Sequence, residues 1–229
     1  MLRNKTGVIL VGLQIALTLA VVANAVFIIM QRVEKIDRPP GIDSDNLIFA
    51  QSYGFGPNYD QRDTVRRDVD LIRSMPGVMA VSPINGIPMS GGGRSSGFGR
   101  VPDPLKITTN VNIYDVDEHG LAALGVKLVE GRAFSEQEVQ YNPTANNDDF
   151  VPSVIVTRAV AHALYGDESA LGKPIFDYLG QSAVVVGVID NMLSAWVDFD
   201  DPSHVLLQPR ISSGPGSRSE ERRVGKECR

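Results

Sequence analysis

GVILVGLQIALTLAVVANAVFIIM, residues Gly7 to Met30, is the stretch on which the reading of the whole chain turns. It carries no formal charge, and only Gln14, Thr18 and Asn24 interrupt it with larger polar groups. At 1.5 Å rise per residue, a helix over these positions is about 36 Å long, enough to cross a hydrocarbon core of about 30 Å with some tilt. The stretch therefore predicts a transmembrane helix bathed in membrane lipid, and the rest of the chain becomes a tethered domain. A secretory signal is the main competitor, with a basic start at Arg3 and Lys5 and a small-residue cleavage site at Ala23-Asn24-Ala25. The apolar run continues past that site through Val26 to Met30, which favours an uncleaved anchor. A buried helix of a soluble protein would show polar punctuation on one side. Arg3 and Lys5 before the segment, and Arg32, Lys35 and Arg38 after it, balance too evenly to orient it.

The opposite end, Arg218 to Arg229, reads RSEERRVGKECR and is identified as the in-frame translation of a common short-read sequencing adapter rather than a natural basic tail. It is set aside, and the native chain is expected to continue beyond Ser217. The sole cysteine, Cys228, goes with it, so disulfides, thiol catalysis and cysteine–zinc sites leave consideration. Without the tail's five basic and three acidic residues the net charge moves from −5 to −7. Gly41 to Ile211 holds 12 Lys or Arg against 22 Asp or Glu, a net of −10. Such a domain does not suit nucleic acid, which needs clustered positive charge, or an anionic lipid surface.

The expected organisation is a short N-terminus over 1–6, the spanning helix over 7–30, a linker over 31–45 and a mixed α+β domain over 46–211, with a truncation point in 212–229. Arg38-Pro39-Pro40-Gly41 ends the helix and opens the linker. The domain is long enough for one core or for two small lobes. Asn46 to Ala50 and Val78 to Val81 read as strands. Between them Val65, Val69, Ile72 and Met75 fall on one face of a helix over Asp60 to Met75, stopped by Pro76-Gly77. Ile84 to Pro104 is rich in glycine and serine and reads as a mobile loop or hairpin tip. Ile107, Thr109, Val111 and Ile113 alternate as a half-buried strand. A short helix over Asp117 to Leu124 ends at Gly125, Gly131 to Ser135 forms a turn, and Gln140 to Asp149 is a polar loop. A strand over Ser153 to Val156, a helix over Arg158 to Tyr165 and a stop at Gly166 follow. Ile175 to Tyr178 and Ala183 to Ile189 form a hairpin turning at Gly180, and His204 to Gln208 is the last strand. Gly187 sits inside a β-branched run, where glycine is costly unless backbone approach or an unusual dihedral demands it; Gly131 and Gly187 both suit tight turns, or strand sites where another backbone comes close.

Catalytic patterns are missing from this reading. His119, His162 and His204 sit in separate elements without metal-ligand spacing. Asp198, Asp200 and Asp201 lack the alternation, glycine and terminal glutamate of a calcium loop. The glycines of Ser90 to Gly99 lack the Gly-Lys-Ser/Thr ending of a phosphate loop, and there is no nucleophile elbow. No enzyme activity, metal site or cofactor is expected. The residues read as a partner contact are Arg94, an exposed Phe98 and Arg100, an aromatic flanked by two arginines on the flexible stretch; the alternative is a disordered tip of no consequence.

The order of several weak motifs carries more information than any one of them. Gly125-Val126-Lys127-Leu128-Val129-Glu130-Gly131-Arg132-Ala133-Phe134 precedes Ser153-Val154-Ile155-Val156-Thr157, Ala163-Leu164-Tyr165-Gly166, Leu171-Gly172-Lys173-Pro174-Ile175 and Val184 to Ile189. Met75-Pro76-Gly77-Val78 and Val81-Ser82-Pro83 fit the same series. Together they resemble the external core domain of MacB/FtsX-type ABC-transporter permeases, over residues 3–211. The resemblance implies an inner-membrane permease of a bacterial cell, its N-terminus inside and its α+β domain periplasmic. It implies a separate ATPase subunit, since no Walker A motif is present. It also implies a periplasmic adaptor or substrate protein, a dimer of permeases and three further spans. The function expected is coupling of ATP hydrolysis to export or mechanotransmission. A membrane-anchored extracytoplasmic sensor domain is the alternative, and a tethered hydrolase a third reading.

Overall fold

The structure, a computed structural model, describes residues 5–50, 60–142 and 151–212. Arg3, most of the polar stretch after Gln140 and the tail from Arg218 lie outside the described residues. The chain divides into two compact units, residues 1–39 and 40–229.

The first unit is helix α1, Lys5–Ile36. Among the described residues it is the one helix long and apolar enough to cross a membrane, over Gly7–Ile36. Its large side chains are exposed on every side, from Leu10 to Phe27, which suits a helix surrounded by lipid. The helix runs six residues beyond Met30, through positions expected to be linker. No glycine or proline falls between Met30 and Pro39, and Lys35 in the last turn complements the helix dipole.

The second unit opens with α2, Gln61–Arg73, capped by the Asp60 carboxylate accepting from the Asp63 amide at 3.1 Å. Strands β1 (Arg94–Gly99) and β2 (Thr109–Val116) come next, then α3 (Gly120–Leu124), β3 (Leu128–Gly131) and β4 (Gln140–Asn142). The rest is β5 (Ser153–Thr157), α4 (Arg158–Tyr165), β6 (Pro174–Asp177), β7 (Ser182–Ile189) and β8 (Val205–Ser212). One sheet takes the order β2-β1-β6-β7-β5-β8-β4, with β3 added to β7. Strand β8 also pairs in parallel with β2, so six strands close into a ring. Pro209, which has no amide hydrogen to donate, is the last β8 residue beside β2, and Arg210 is the first beside β4.

Two apolar clusters follow from the alternation of side chains along the strands. Phe98, Val111, Ile113, Val154, Val156, Ile175 and Leu206 gather with Val160 and Leu164 of α4. Tyr114, Val116, Ile155, Ile189, Val205 and Leu207 gather with Leu121 and Leu124 of α3, and with Ile42 and Met192. Strand β5 is buried along its whole length because both of its faces are covered. The same covering makes β2 far more buried than the half-buried strand expected there, and β2 begins at Thr109 rather than Ile107.

Helix α4 matches its expected bounds, and Gly166 at its end has φ +65°. The β6–β7 hairpin turns at Gly180 with φ +77°. Three expectations are corrected. Residues 46–50 form no strand, and Ile48 there is 90% exposed. Residues 78–81 form none either: Met79 is fully exposed, and the Val81 carbonyl accepts from the Arg73 guanidinium at 3.1 Å instead of a ladder amide. The stretch 84–104 is not a mobile tip. Its centre is β1, held between β2 and β6.

Candidate functional site

The three residues singled out as a contact surface separate in the structure. Phe98 is fully buried among Val111, Ile175 and Leu206, so the expected exposed aromatic anchor does not exist. Arg94 lies on β1 and its Nη2 donates to Asp115 Oδ1 at 2.8 Å. Arg100 follows β1 at the surface, its guanidinium 5.0 Å from the ring centre of Tyr165. Lys173 covers the same ring at 4.6 Å. The Tyr165 hydroxyl donates to the Pro174 carbonyl, and burial pushes its phenol up from the ordinary value. Arg100 therefore helps to join α4 to the end of β1.

Arg94 belongs instead to a buried polar network that the sequence reading missed. Asp115, on β2, is almost completely buried. Its carboxylate accepts from Arg94 and, at 2.6 Å, from Gln208 Nε2 on β8. Its amide donates to Asn85 Oδ1 at 2.9 Å, while Asn85 Nδ2 donates to the Ile113 carbonyl at 3.3 Å. Asn85 thus serves the β2 backbone as a strand neighbour would. Three residues before Asp115, Asn112 donates to the Arg94 carbonyl at 2.7 Å and accepts from the Ala195 amide at 3.0 Å. The network ties β1, β2, β8 and the 85–93 and 190–204 segments together. It fixes register; it presents no nucleophile or general base to solvent. No short motif announces it, because its members come from five separate segments.

Other ionisable groups are dispersed. His119 Nε2 is 3.4 Å from Glu118, His162 Nε2 is 3.8 Å from Asp167, and His204 Nδ1 is 2.7 Å from the Thr109 hydroxyl. Among the described residues no three His, Cys, Asp or Glu side chains gather as a metal site. Burial raises the Asp117 carboxyl above its ordinary value, against lowering by the Ser82 hydroxyl and the His119 amide. Arg73 of α2 reaches it at 3.6 Å. Burial pushes the Tyr114 phenol up as well.

The glycine positions have mechanical jobs. A Cβ on Gly187 would lie 2.6 Å from the Arg132 carbonyl oxygen, and one on Gly131 would lie 2.2 Å from that of Val186. Gly131, at φ +79°, faces Gly187 directly across the β3–β7 pair. Of the two demands the sequence leaves open for Gly187, close backbone approach rather than an unusual dihedral is the geometry found.

The family model described as MacB-like periplasmic core domain matches residues 11–218. Among solved structures, the chain is similar to the periplasmic region of MacB from Actinobacillus actinomycetemcomitans. Identity is 20% and the TM-score 0.43, over 63% of this chain and 54% of that one. It is also similar to the extracellular domain of the noncanonic ABC-type transporter YknZ from Gram-positive bacteria. There identity is 17% and the TM-score 0.40, over 62% of this chain and 60% of that one. The chain spans little more than half the length of these structures. No curated protein matches it.

Proposed function

The chain belongs to the family of MacB-like periplasmic core domains, and from that premise we propose that it is the anchor and external domain of an ABC-transporter permease. In this reading α1 crosses the bacterial inner membrane and residues from Pro40 onward face the periplasm. A separate ATPase subunit supplies the work, and a second permease copy completes the transporter. The external domain does no chemistry. It changes its hold on a periplasmic adaptor or a substrate protein as the membrane helices move.

The observation that carries the proposal is the extent of the family match. It begins at residue 11, inside the apolar helix, and runs through both clusters of the external domain. The network around Asp115 and the glycine contacts of β3 and β7 also favour a body that transmits displacement over one that deforms.

Purification of the chain from its native membranes, followed by nucleotide hydrolysis in lipid nanodiscs, tests the reading. The expected result is a co-purifying subunit with a phosphate loop, hydrolysis that depends on that subunit, and none by the chain alone. A preparation that contains a signalling histidine kinase or a chemoreceptor scaffold instead would replace the permease with the sensor.

A further inference from the structure

Residues expected to be a short extended linker are built into the external domain. The Pro40 carbonyl accepts from the Leu193 amide at 2.9 Å, and the Asp43 amide donates to the Leu124 carbonyl at 3.0 Å. Between them the Ile42 side chain is buried in the cluster that contains Leu121, Leu124, Val126 and Met192. Gly41 has φ +78°, and a Cβ there would lie 2.2 Å from the Asn191 carbonyl oxygen and 2.8 Å from the Met192 nitrogen. Both its dihedral angle and the space around it exclude a side chain. On the other side Gly125, at φ +65°, leaves room for Asp43: a Cβ on it would come within 2.6 Å of the Asp43 Cβ. Two glycines and one buried isoleucine therefore seat four residues of chain.

We propose that residues 40–43 are a closed clasp, which delivers displacement of the anchor helix into the core around Leu124 and Met192. The proposal rests on the permease reading for the source of that displacement. Slack decides the matter physically. An unattached linker from Asp37 to Asp45 has nine residues and could extend to about 32 Å, so it would absorb a helix movement of a few ångströms. With the clasp closed only Asp37, Arg38 and Pro39 remain between α1 and the domain, at most about 11 Å of chain. Consecutive prolines at 39 and 40 stiffen it further, since each fixes its own φ and restricts the residue before it. Gly41 is the positioning residue, and Ile42 is the plug.

Amide hydrogen exchange on the whole chain in lipid nanodiscs tests the clasp. The Asp43 and Leu193 amides are expected to exchange at least 100-fold more slowly than exposed loop amides. Gly41→Ala should speed both at least tenfold while leaving Val156 and Leu206 unchanged. Ile42→Ala, which leaves the backbone conformation permitted, should do the same and covers the case in which Gly41→Ala does not fold. Loop-like exchange in the unaltered chain, or unaltered protection in both variants, overturns the clasp.

Transmission has its own arm, using the complex purified with its ATPase from native membranes. Six Gly and Ser residues inserted between Arg38 and Pro39 should preserve protection at Asp43 and Leu193. They should reduce the nucleotide-dependent change in exchange at Leu124 and Met192 at least tenfold. A full nucleotide-dependent change despite the insertion overturns transmission through the clasp. No such change in the unaltered complex would remove the permease reading, and transmission with it, while the protection of Asp43 and Leu193 would still decide whether the clasp is closed.

Discussion

Strands β1 and β7 flank β6 on opposite sides, and both pair with it in antiparallel fashion. Strand β7 is SAVVVGVI, a β-branched run whose local pattern states what it is. Strand β1 is RSSGFG, with one large apolar residue among serines and glycines. Its place is set by its neighbours. A Cβ on Gly97 would lie 2.5 Å from Ile107 Cγ2, and one on Gly99 would lie 2.6 Å from the Lys106 carbonyl oxygen. The chain returning from β1 towards β2 crosses so closely that only glycine fits beneath it. Glycine in β7 and glycine in β1 do the same work, although one is embedded in valines and the other in serines. The difference teaches that a glycine-rich stretch can be a strand defined from outside.

The largest expected effect breaks or sharpens this comparison at Phe98. Replacing it by alanine should cost about 3–5 kcal/mol, the usual loss for emptying a buried aromatic site. The sole tryptophan, Trp196, lies in the external domain, so its fluorescence during denaturation of the whole chain reports that domain and not α1. A loss below about 1 kcal/mol would show β1 to be peripheral after all.

Arg94→Ala should rank second. It strips Asp115 of a charged partner in a buried setting, for which losses of about 3–5 kcal/mol are typical. The Arg94 side chain is 19% exposed, so water can partly fill its place, and we expect about 2–3 kcal/mol. Adding Asp115→Asn should restore part of that loss by removing the buried charge. A double variant no more stable than Arg94→Ala would mean that the pair contributes through packing alone.

Gly187→Val turns the comparison towards β7. On propensity alone valine should stabilise a strand by up to about 1 kcal/mol. The Arg132 carbonyl, Leu128 and Ile155 leave no room for it, so a loss of about 1–3 kcal/mol is expected instead. A raised denaturation midpoint would mean that β3 can move away without cost.

What could be read in advance divides along the same line. Helix α4 and the β6–β7 hairpin were legible because caps, turn glycines and period-two alternation all lie within a few residues of one another. The apolar run Leu47-Ile48-Phe49 carried the same local signal as a strand, yet it finds no ladder partner, and partners are a property of the whole fold. Phe98 was legible as an anchor but not as a core residue, since burial comes from Val111, Ile175 and Leu206, far away in sequence. The clasp was hidden for a related reason. Pro39-Pro40-Gly41 is linker composition, and only Leu124 and Leu193 reveal that the next residues are held.

The smallest expected effect tests whether the backbone opposite Gly187 is itself fixed. Arg132, whose carbonyl approaches Gly187 and whose amide donates to Val186 at 3.0 Å, is clamped by Glu138 through two bonds of 2.7 and 2.9 Å. These Arg132 bonds, helped by the Ser135 amide and hydroxyl, hold the Glu138 carboxyl down at about 2, despite opposing desolvation. Its ordinary value is about 4.3, so the folded state binds this proton less readily than the unfolded chain. The stabilisation is thus present above that ordinary value and is lost as pH falls towards about 2. Because the Arg132 side chain is more than half exposed, solvent screening limits the contribution to less than about 1 kcal/mol. Glu138→Gln should therefore lower stability slightly at pH 7 and flatten its decline between about pH 4.3 and pH 2. Chemical denaturation followed at Trp196 across that window measures both changes. An acid decline equal to that of the unaltered chain would mean that the clamp holds nothing, and that Gly187 meets a carbonyl kept in place by the β3–β7 ladder alone.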